Sequence, residues 1–168
     1  NSLNKDETDG TIQFDKQKAV ITFDANVLIC RLIEGRYPIY NSVIPNDNPY
    51  SVIVDRKGML NALKRVLPFA NESSQLVKLE VADQEITVKS EDLEFATKAV
   101  EKIPCSYTGN KLMIGFKGSG LQMVLTNLAY DELCFQMADP SRPALISPAE
   151  QPENQDILTL LMPMLLND

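Results

Sequence analysis

The residue types that most often perform catalysis are absent or scattered in this sequence. Histidine does not occur, which removes the usual imidazole base and metal ligand. Acidic residues gather within residues 6–9 and again within 91–94, at an expected frayed terminus and an expected turn. Paired carboxylates can perform acid–base chemistry, but charge in such places is more typical of solvated loops. We expect no catalytic residue.

Nucleophile and phosphate-binding motifs are also missing. The three cysteines, Cys30, Cys105 and Cys134, form no CxxC pair, and their odd number argues against a set of disulfides. No serine lies in a G-x-S-x-G elbow, and Lys117-Gly-Ser-Gly120 lacks the spacing of a P-loop. We expect small, buried, reduced thiols in a cytoplasmic protein that has no metal and no cofactor.

A cluster of positive charge is the first sign of a binding surface. Between Arg56 and Leu67, apolar residues recur at spacings of three and four, which predicts a helix with one buried stripe. The opposite side of that helix carries no carboxylate, although the whole chain has a net charge of −7. Its basic and amide residues are Lys57, Asn61, Lys64 and Arg65. Such a face is either ordinary solvated surface or a surface that contacts phosphates without reading bases.

A second helix is predicted from Gly118 to Leu128, and it begins, like the first, after a Lys-Gly pair. Lys117 at its start and Gln122 on its polar side are further candidate DNA contacts, with plain solvated surface as the alternative. No recognition-helix, zinc-finger or aromatic-stacking motif is present. Base-specific recognition is therefore not expected.

The apolar C-terminus is a second candidate binding surface. Residues 157–161 suit a final strand, but Pro163 cannot continue a central strand. Met162 and Met164 flank it, and flexible thioethers often line adaptable binding grooves. The Met-Pro-Met segment therefore either packs against the core or lines such a groove.

The order of elements around these residues repeats. The periodicity of apolar residues predicts the order strand–helix–strand–strand–strand twice, at an offset of about 60 residues. This repeat predicts an α+β domain with two helices on antiparallel sheet. Proline and asparagine accumulate near residues 41–49, which marks a domain boundary. We divide the chain into residues 1–40, a linker at 41–48, and a complete domain at 49–168.

Three segments together resemble the bacterial sliding clamp, the beta subunit of DNA polymerase III. They are Leu32-Ile-Glu-Gly-Arg-Tyr-Pro-Ile-Tyr-Asn-Ser-Val-Ile-Pro45, Val54-Asp-Arg-Lys-Gly-Met-Leu-Asn-Ala-Leu-Lys-Arg-Val-Leu67 and Leu161-Met-Pro-Met164. The resemblance implies a DNA clamp fold, in which a doubled βαβββ unit forms each of three domains. It also implies a non-catalytic processivity factor whose subunits form a homodimeric ring around duplex DNA. Residues 1–40 would then be the closing strands of the second domain, and the rest the third domain.

The resemblance also implies partner sites. Short peptide motifs of polymerase and clamp-loader subunits would dock in a hydrophobic pocket, to which this chain would contribute Pro38, Val43, Gly120, Ser141, Pro143, Leu161, Met162, Pro163 and Met164. Ser42, Gly120 and Leu165 depart from the residues frequent in the family, so the peptide preference is expected to differ. Pro68 and Phe69 would lie at the subunit interface, unless Phe69 is a core aromatic.

Two other function classes remain open from the residues alone. A β-rich peptide-binding adaptor outside replication would share the fold pattern and lack the ring. An enzyme would need a convergent acid, base or metal cluster, and the sequence offers none.

Overall fold

The computed structural model describes residues 9–166, and they form two compact units, divided between Ile39 and Tyr40. The predicted 6–9 acidic group lies mostly outside the described residues. Among the described residues, the N-terminal unit holds three strands, and the C-terminal unit holds eight strands and two α-helices.

The N-terminal unit is an antiparallel sheet in the order β1-β2-β3: β1 (Gly10–Phe14), β2 (Lys18–Phe23) and β3 (Asn26–Arg31). Its register aligns Ile12, Ile21 and Leu28, so these apolar residues share one face. Phe14, on the same face, is 78% exposed. A three-stranded sheet becomes stable when something covers its apolar face, and among residues 9–39 nothing does.

The C-terminal unit repeats one order of elements. The first copy is β4 (Tyr50–Asp55), α1 (Arg56–Val66), β5 (Leu76–Ala82), β6 (Glu85–Asp92) and β7 (Thr97–Pro104). The second is β8 (Leu112–Lys117), α2 (Gly118–Asn127), β9 (Glu132–Met137), β10 (Ala144–Pro148) and β11 (Thr159–Leu161). The predicted doubled βαβββ unit is confirmed, with a final strand shorter than the predicted residues 157–161.

The two copies exchange their first strands, which the sequence did not predict. The sheets run β11-β10-β9-β4 and β7-β6-β5-β8, so each consists of three strands of one copy and the first strand of the other. The free side of each exchanged strand meets the chain that follows the last strand of its own copy, through the bridges Ile53–Ser106 and Gly115–Met164. The two copies therefore cannot fold as separate domains.

One core joins both sheets and both helices. Its fully buried side chains include Met59 and Leu63 of α1, Leu121 of α2, and Phe116 and Phe135 of the two sheets. In the second sheet, β5 and β6 alternate buried and half-buried residues, as expected where one face packs inward and one faces solvent. The fold thus leaves one long side of each helix facing away from the core.

Candidate nucleic-acid and peptide interfaces

Helix α1 is fixed in rotation by its N-cap and its buried stripe. The Asp55 carboxylate accepts a hydrogen bond from the Gly58 backbone N–H, which satisfies one free donor of the first turn. The buried positions are Met59, Ala62, Leu63 and Val66. Residues on the other side of the helix must then face solvent.

The predicted cationic face is exposed in the structure. Lys57, Asn61, Lys64 and Arg65 are all exposed, and the helix contains no acidic residue. Lys64 and Arg65 occupy the last turn, where the helix dipole favours positive charge. The structure therefore brings the four α1 residues of the predicted DNA contact together on one surface.

Two carboxylates from other elements reach this face, and the sequence analysis did not anticipate them. Glu101 of β7 accepts hydrogen bonds from Nε and Nη2 of Arg65, both at 2.9 Å. Asp131, in the loop after α2, lies 3.7 Å from the Lys57 ammonium. Within residues 9–166, no carboxylate pairs with Lys64. Lys64 is thus the most available cation of the surface.

The two helices lie side by side and antiparallel. At one end the Arg56 guanidinium donates to the Leu125 carbonyl at 3.0 Å and to the Tyr130 carbonyl at 2.8 Å, which places the start of α1 at the end of α2. At the other end Gly118 approaches Leu67, just after α1. Because both helices pack on the same core, their solvent sides adjoin.

The candidate contacts contributed by α2 are fewer. Lys117 is exposed at its start, whereas Gln122 is half-buried. The Thr126 hydroxyl donates to the Gln122 backbone carbonyl at 2.7 Å. This bond lies within the helix and does not involve the side-chain amide of Gln122. Lys117 is the N-cap residue of α2, but its side chain makes no capping hydrogen bond. Its ammonium group is therefore available to a ligand.

Part of the predicted peptide site converges around the end of β11. A Cβ placed on Gly120 would lie 3.6 Å from Leu161 Cδ1, so the first turn of α2 contacts this strand. Leu161 pairs with Ala144 in β10, and this register puts Pro143, one residue earlier, next to Met162. Met162 is 56% exposed. These residues form an apolar surface at the edge of the first sheet.

The β9–β10 loop is held to the linker by two contacts that the sequence analysis missed. The Asn48 amide donates to the carbonyls of Gln136 and Pro143, each at 3.0 Å. Arg142 pairs with Asp47 at 2.8 Å. The loop carries the predicted residues Ser141, which is exposed, and Pro143, which is half-buried. Val43, also exposed, lies a few residues before Asp47.

The Met-Pro-Met segment is not sealed in the core. Pro163 and Met164 are half-buried, and the Met164 N–H donates to the Gly115 carbonyl at 2.8 Å. A Cβ on Gly115 would meet Leu166 Cδ2 at 2.6 Å, so the tail crosses β8 where only glycine fits. Pro38 belongs to the N-terminal unit, where it is exposed.

The predicted interface residues follow the C-terminus of α1. Pro68 and Phe69 are exposed in a short 3-10 turn, so Phe69 is not a core aromatic. The Ser90 hydroxyl of β6 donates to the Val66 carbonyl at 2.5 Å, which holds this end of the helix to the sheet. Leu93 and Phe95, in the β6–β7 turn, are also strongly exposed. Apolar side chains thus gather at this end of the second sheet.

Within residues 9–166, no cluster of cysteine and carboxylate side chains is arranged to hold a metal. The three thiols are free, and burial raises the pKa of the Cys105 thiol. None of the helices in the described part of the chain is long and apolar enough to cross a membrane.

Comparison with known proteins decides the family. A profile of the DNA polymerase III beta subunit, C-terminal domain, matches residues 41–165. The chain belongs to this family. The beta sliding clamp of Caulobacter vibrioides is 33% identical over 153 residues, which cover 91% of this chain and 40% of that protein. Family membership confirms the predicted non-catalytic clamp subunit, and sets the enzyme alternative aside.

Solved clamps share the fold. A Pseudomonas aeruginosa sliding clamp superposes with a TM-score of 0.88 at 25% identity, covering 96% of this chain and 43% of that one. A Caulobacter crescentus clamp, with polyethylene glycol in a region described as tethering beta motifs, gives 0.85 at 32%, covering 94% and 41%. The predicted clamp fold is confirmed. The chain spans about two fifths of the length of these relatives.

Proposed function

We propose that this chain is the C-terminal part of a ring-shaped processivity factor that encircles duplex DNA and tethers the replicative polymerase in the bacterial cytoplasm. The observation that carries the proposal is the cationic surface of α1. Helix α1 carries four cations and no acid on eleven residues of a chain whose net charge is −7, and three of these cations, Lys57, Lys64 and Arg65, lie on this surface. In a sliding clamp, such a surface belongs on the inside of the ring.

The composition of this surface suits sliding. Arginine, lysine and asparagine side chains contact phosphates directly or through water, and such contacts carry no base information. The attraction is therefore independent of sequence, and a step along the duplex exchanges equivalent contacts. Lys57, Asn61, Lys64 and Arg65 would supply most of it, with Lys117 and Gln122 of α2 beside them. Acidic residues elsewhere would keep DNA from adhering to the outside.

The N-terminal unit would be the closing strands of the second clamp domain. Its strands follow one another as an antiparallel meander, as β9, β10 and β11 do in the C-terminal unit. Its apolar face, with Ile12, Phe14 and Leu28, needs a covering layer. In the clamp fold the helices of the same domain supply that layer, so residues 1–40 would complete a second doubled unit, and 41–48 would link the two domains.

The surface around Met162 would bind short peptide motifs of polymerase and clamp-loader subunits. Exposed Met162, half-buried Pro163 and the neighbouring Pro143 offer apolar, adaptable contacts beside a rigid sheet edge. Gly120 leaves space next to Leu161 for a ligand side chain. Val43, Ser141 and Met164 would complete the part of the site that the C-terminal unit contributes, and the Caulobacter crescentus clamp with polyethylene glycol in a region described as tethering beta motifs supports it.

The end of the second sheet would be the subunit interface of a homodimeric ring. Strand β7 is an edge strand, so one side of its backbone is open to pairing with another strand. Exposed Phe69 and Pro68 lie near it, together with Phe95. An apolar cluster beside an open strand edge suits a head-to-tail association that closes a ring.

Neutralising the α1 surface tests the proposal. In the full-length subunit, Lys57→Gln with Lys64→Gln should shorten the lifetime of the clamp on nicked circular DNA and weaken its loading, since two phosphate contacts are lost. The matched control is Lys98→Gln with Lys102→Gln, which changes the net charge equally on the other side of the second sheet. Equal retention of both double variants would contradict the proposal.

A further inference from the structure

Arg65, the one guanidinium of the α1 surface, already binds a carboxylate of this protein. Arg65 and Glu101 form a two-point contact in which Nε and Nη2 each lie 2.9 Å from one carboxylate oxygen. The side chains are 56% and 30% exposed, so solvent and solutes can reach the pair. The Lys57–Asp131 pair is looser, at 3.7 Å between side chains 68% and 91% exposed. Pairs of that looser kind contribute little.

The position of Glu101 in its strand directs it at the helix. The β6–β7 register pairs Glu101 with Val88, which is fully buried, and Ile103 on the same face is also buried. Glu101 is therefore a carboxylate among apolar residues on the helix-covered side of the sheet. Its neighbour Lys102 faces the other way and pairs with Glu85 at 2.8 Å. The strand thus turns one charged residue towards α1 and the next away from it.

A guanidinium that binds a carboxylate in this way can bind a phosphate in the same geometry. Both acceptors present two oxygens that match the two parallel N–H donors of arginine. The hydrogen bond from Arg65 lowers the pKa of Glu101, so this carboxylate is ionised at neutral pH and always competes. A phosphate can recruit Arg65 only by displacing Glu101.

We propose that Glu101 sets how strongly the clamp interior attracts DNA, by holding Arg65 in a carboxylate contact that a phosphate must displace. The inference rests on the proposed function, since it needs the α1 surface to face the duplex. Lys64 then provides a standing attraction, while Arg65 exchanges between its own carboxylate and successive phosphates. Each exchange replaces one two-point contact with another, which keeps the attraction weak and the barrier to sliding low.

Glu101→Gln tests this, with Glu85→Gln as the matched control. Each variant replaces one carboxylate with an amide, frees one cation and raises the net charge by one, but only Glu101 faces α1. Binding of the full-length protein to a duplex oligonucleotide is measured at several salt concentrations. Glu101→Gln should tighten binding at low salt and steepen the slope of log K against log salt by up to about 0.9, the increment for one full phosphate contact, because Arg65 would then contact phosphates all the time. Glu85→Gln should leave that slope unchanged.

The outcomes separate the inference from the function on which it rests. If Lys64→Gln weakens binding while Glu101→Gln behaves like Glu85→Gln, the role of Glu101 is refuted and the DNA-facing surface stands. If Lys64→Gln changes nothing, the DNA-facing surface itself is refuted.

A measurement on the unaltered protein covers the case in which Glu101→Gln fails to fold. The NMR signal of the Arg65 Nε–H reports its hydrogen-bond acceptor. It should shift when duplex is added, together with the Glu101 carboxyl carbon. An Arg65 signal that stays fixed at saturating duplex would overturn the proposal.

Discussion

Single residues on the tail decide how the peptide surface would work. Met162 is more exposed than its neighbours Pro163 and Met164, and the Met164 backbone is anchored to Gly115. The tail therefore combines a fixed backbone with one side chain free to adapt. The fixed backbone lowers the conformational entropy that is lost on binding, and the flexible thioether of Met162 can adapt to the shape of the ligand.

Truncating Met162 should weaken partner binding. Met162→Ala removes the central apolar contact, and we expect about tenfold lower affinity for a polymerase-derived peptide, which corresponds to about 1.4 kcal/mol. Titration calorimetry with the full-length protein measures it. Met123→Ala, an equally exposed methionine on α2, is the control. Unchanged affinity in Met162→Ala would place the peptide elsewhere.

The charge of Glu80 contributes to stability in acid. Hydrogen bonds from Lys111 and then Lys89 lower its pKa from 4.5 to about 2. Because the folded-state pKa is lowered, the ionised carboxylate stabilises the fold above pH 4.5, and this stabilisation is lost as the pH falls towards 2.

Glu80→Gln should therefore reduce the loss of stability between pH 6 and pH 3. Urea unfolding at the two pH values measures the free energy of unfolding of the wild type and the variant. Glu72→Gln, on an exposed glutamate, is the control and should behave as the wild type. An unchanged pH dependence in Glu80→Gln would show that the two lysines do not hold the carboxylate.

Helix α2 depends on how closely its first turn approaches the rest of the domain. A Cβ on Gly118 would lie 2.3 Å from Leu67 Cδ1, 2.9 Å from Val77 Cγ2 and 3.2 Å from the Gln75 carbonyl oxygen. Two residues later, a Cβ on Gly120 would meet only Leu161, at an ordinary contact distance of 3.6 Å. Two glycines of the same turn thus serve different needs.

Alanine at these two positions should have opposite effects. Gly118→Ala should lower the free energy of unfolding by roughly 1 to 3 kcal/mol, because the packed neighbours must move. Gly120→Ala should raise it by up to about 1 kcal/mol, since alanine favours a helix more than glycine does. Urea unfolding of both variants measures the difference. Equal effects would mean that the contact at Gly118 relaxes freely.

The elements themselves could be predicted from local signals, but their pairing could not. Apolar spacing, Asp55 as an N-cap and Pro68 after α1 define the helices closely. The exchange of β4 and β8 between sheets depends on contacts distant in sequence, such as Gly115 with Met164. Periodicity within one segment contains no information about such partners.

The same limit explains what was missed at the candidate site. The cationic side of α1 was visible because its residues lie on one helix. Glu101 and Asp131 come from β7 and a loop, so their approach depends on tertiary packing. One signal was available: residues 99, 101 and 103 alternate along β7, and the apolar Ala99 and Ile103 would have assigned Glu101 to the helix side.

Across the whole molecule, charge is distributed unevenly. Acidic residues give the chain its net charge of −7, while α1 concentrates cations on a surface opposite the core. The tail around Met162 and the exposed cluster of Phe69, Leu93 and Phe95 near β7 are apolar surfaces on other parts of the domain. A ring built from such domains would hold DNA inside and partners outside.

The most direct test asks which surface touches the duplex. A photo-crosslinking amino acid replaces Asn61, at the centre of the α1 surface, or Lys102, on the opposite side of the second sheet, in the full-length protein loaded on circular DNA. We expect DNA crosslinks from position 61 and none from position 102. Crosslinks from position 102 alone would contradict this expectation.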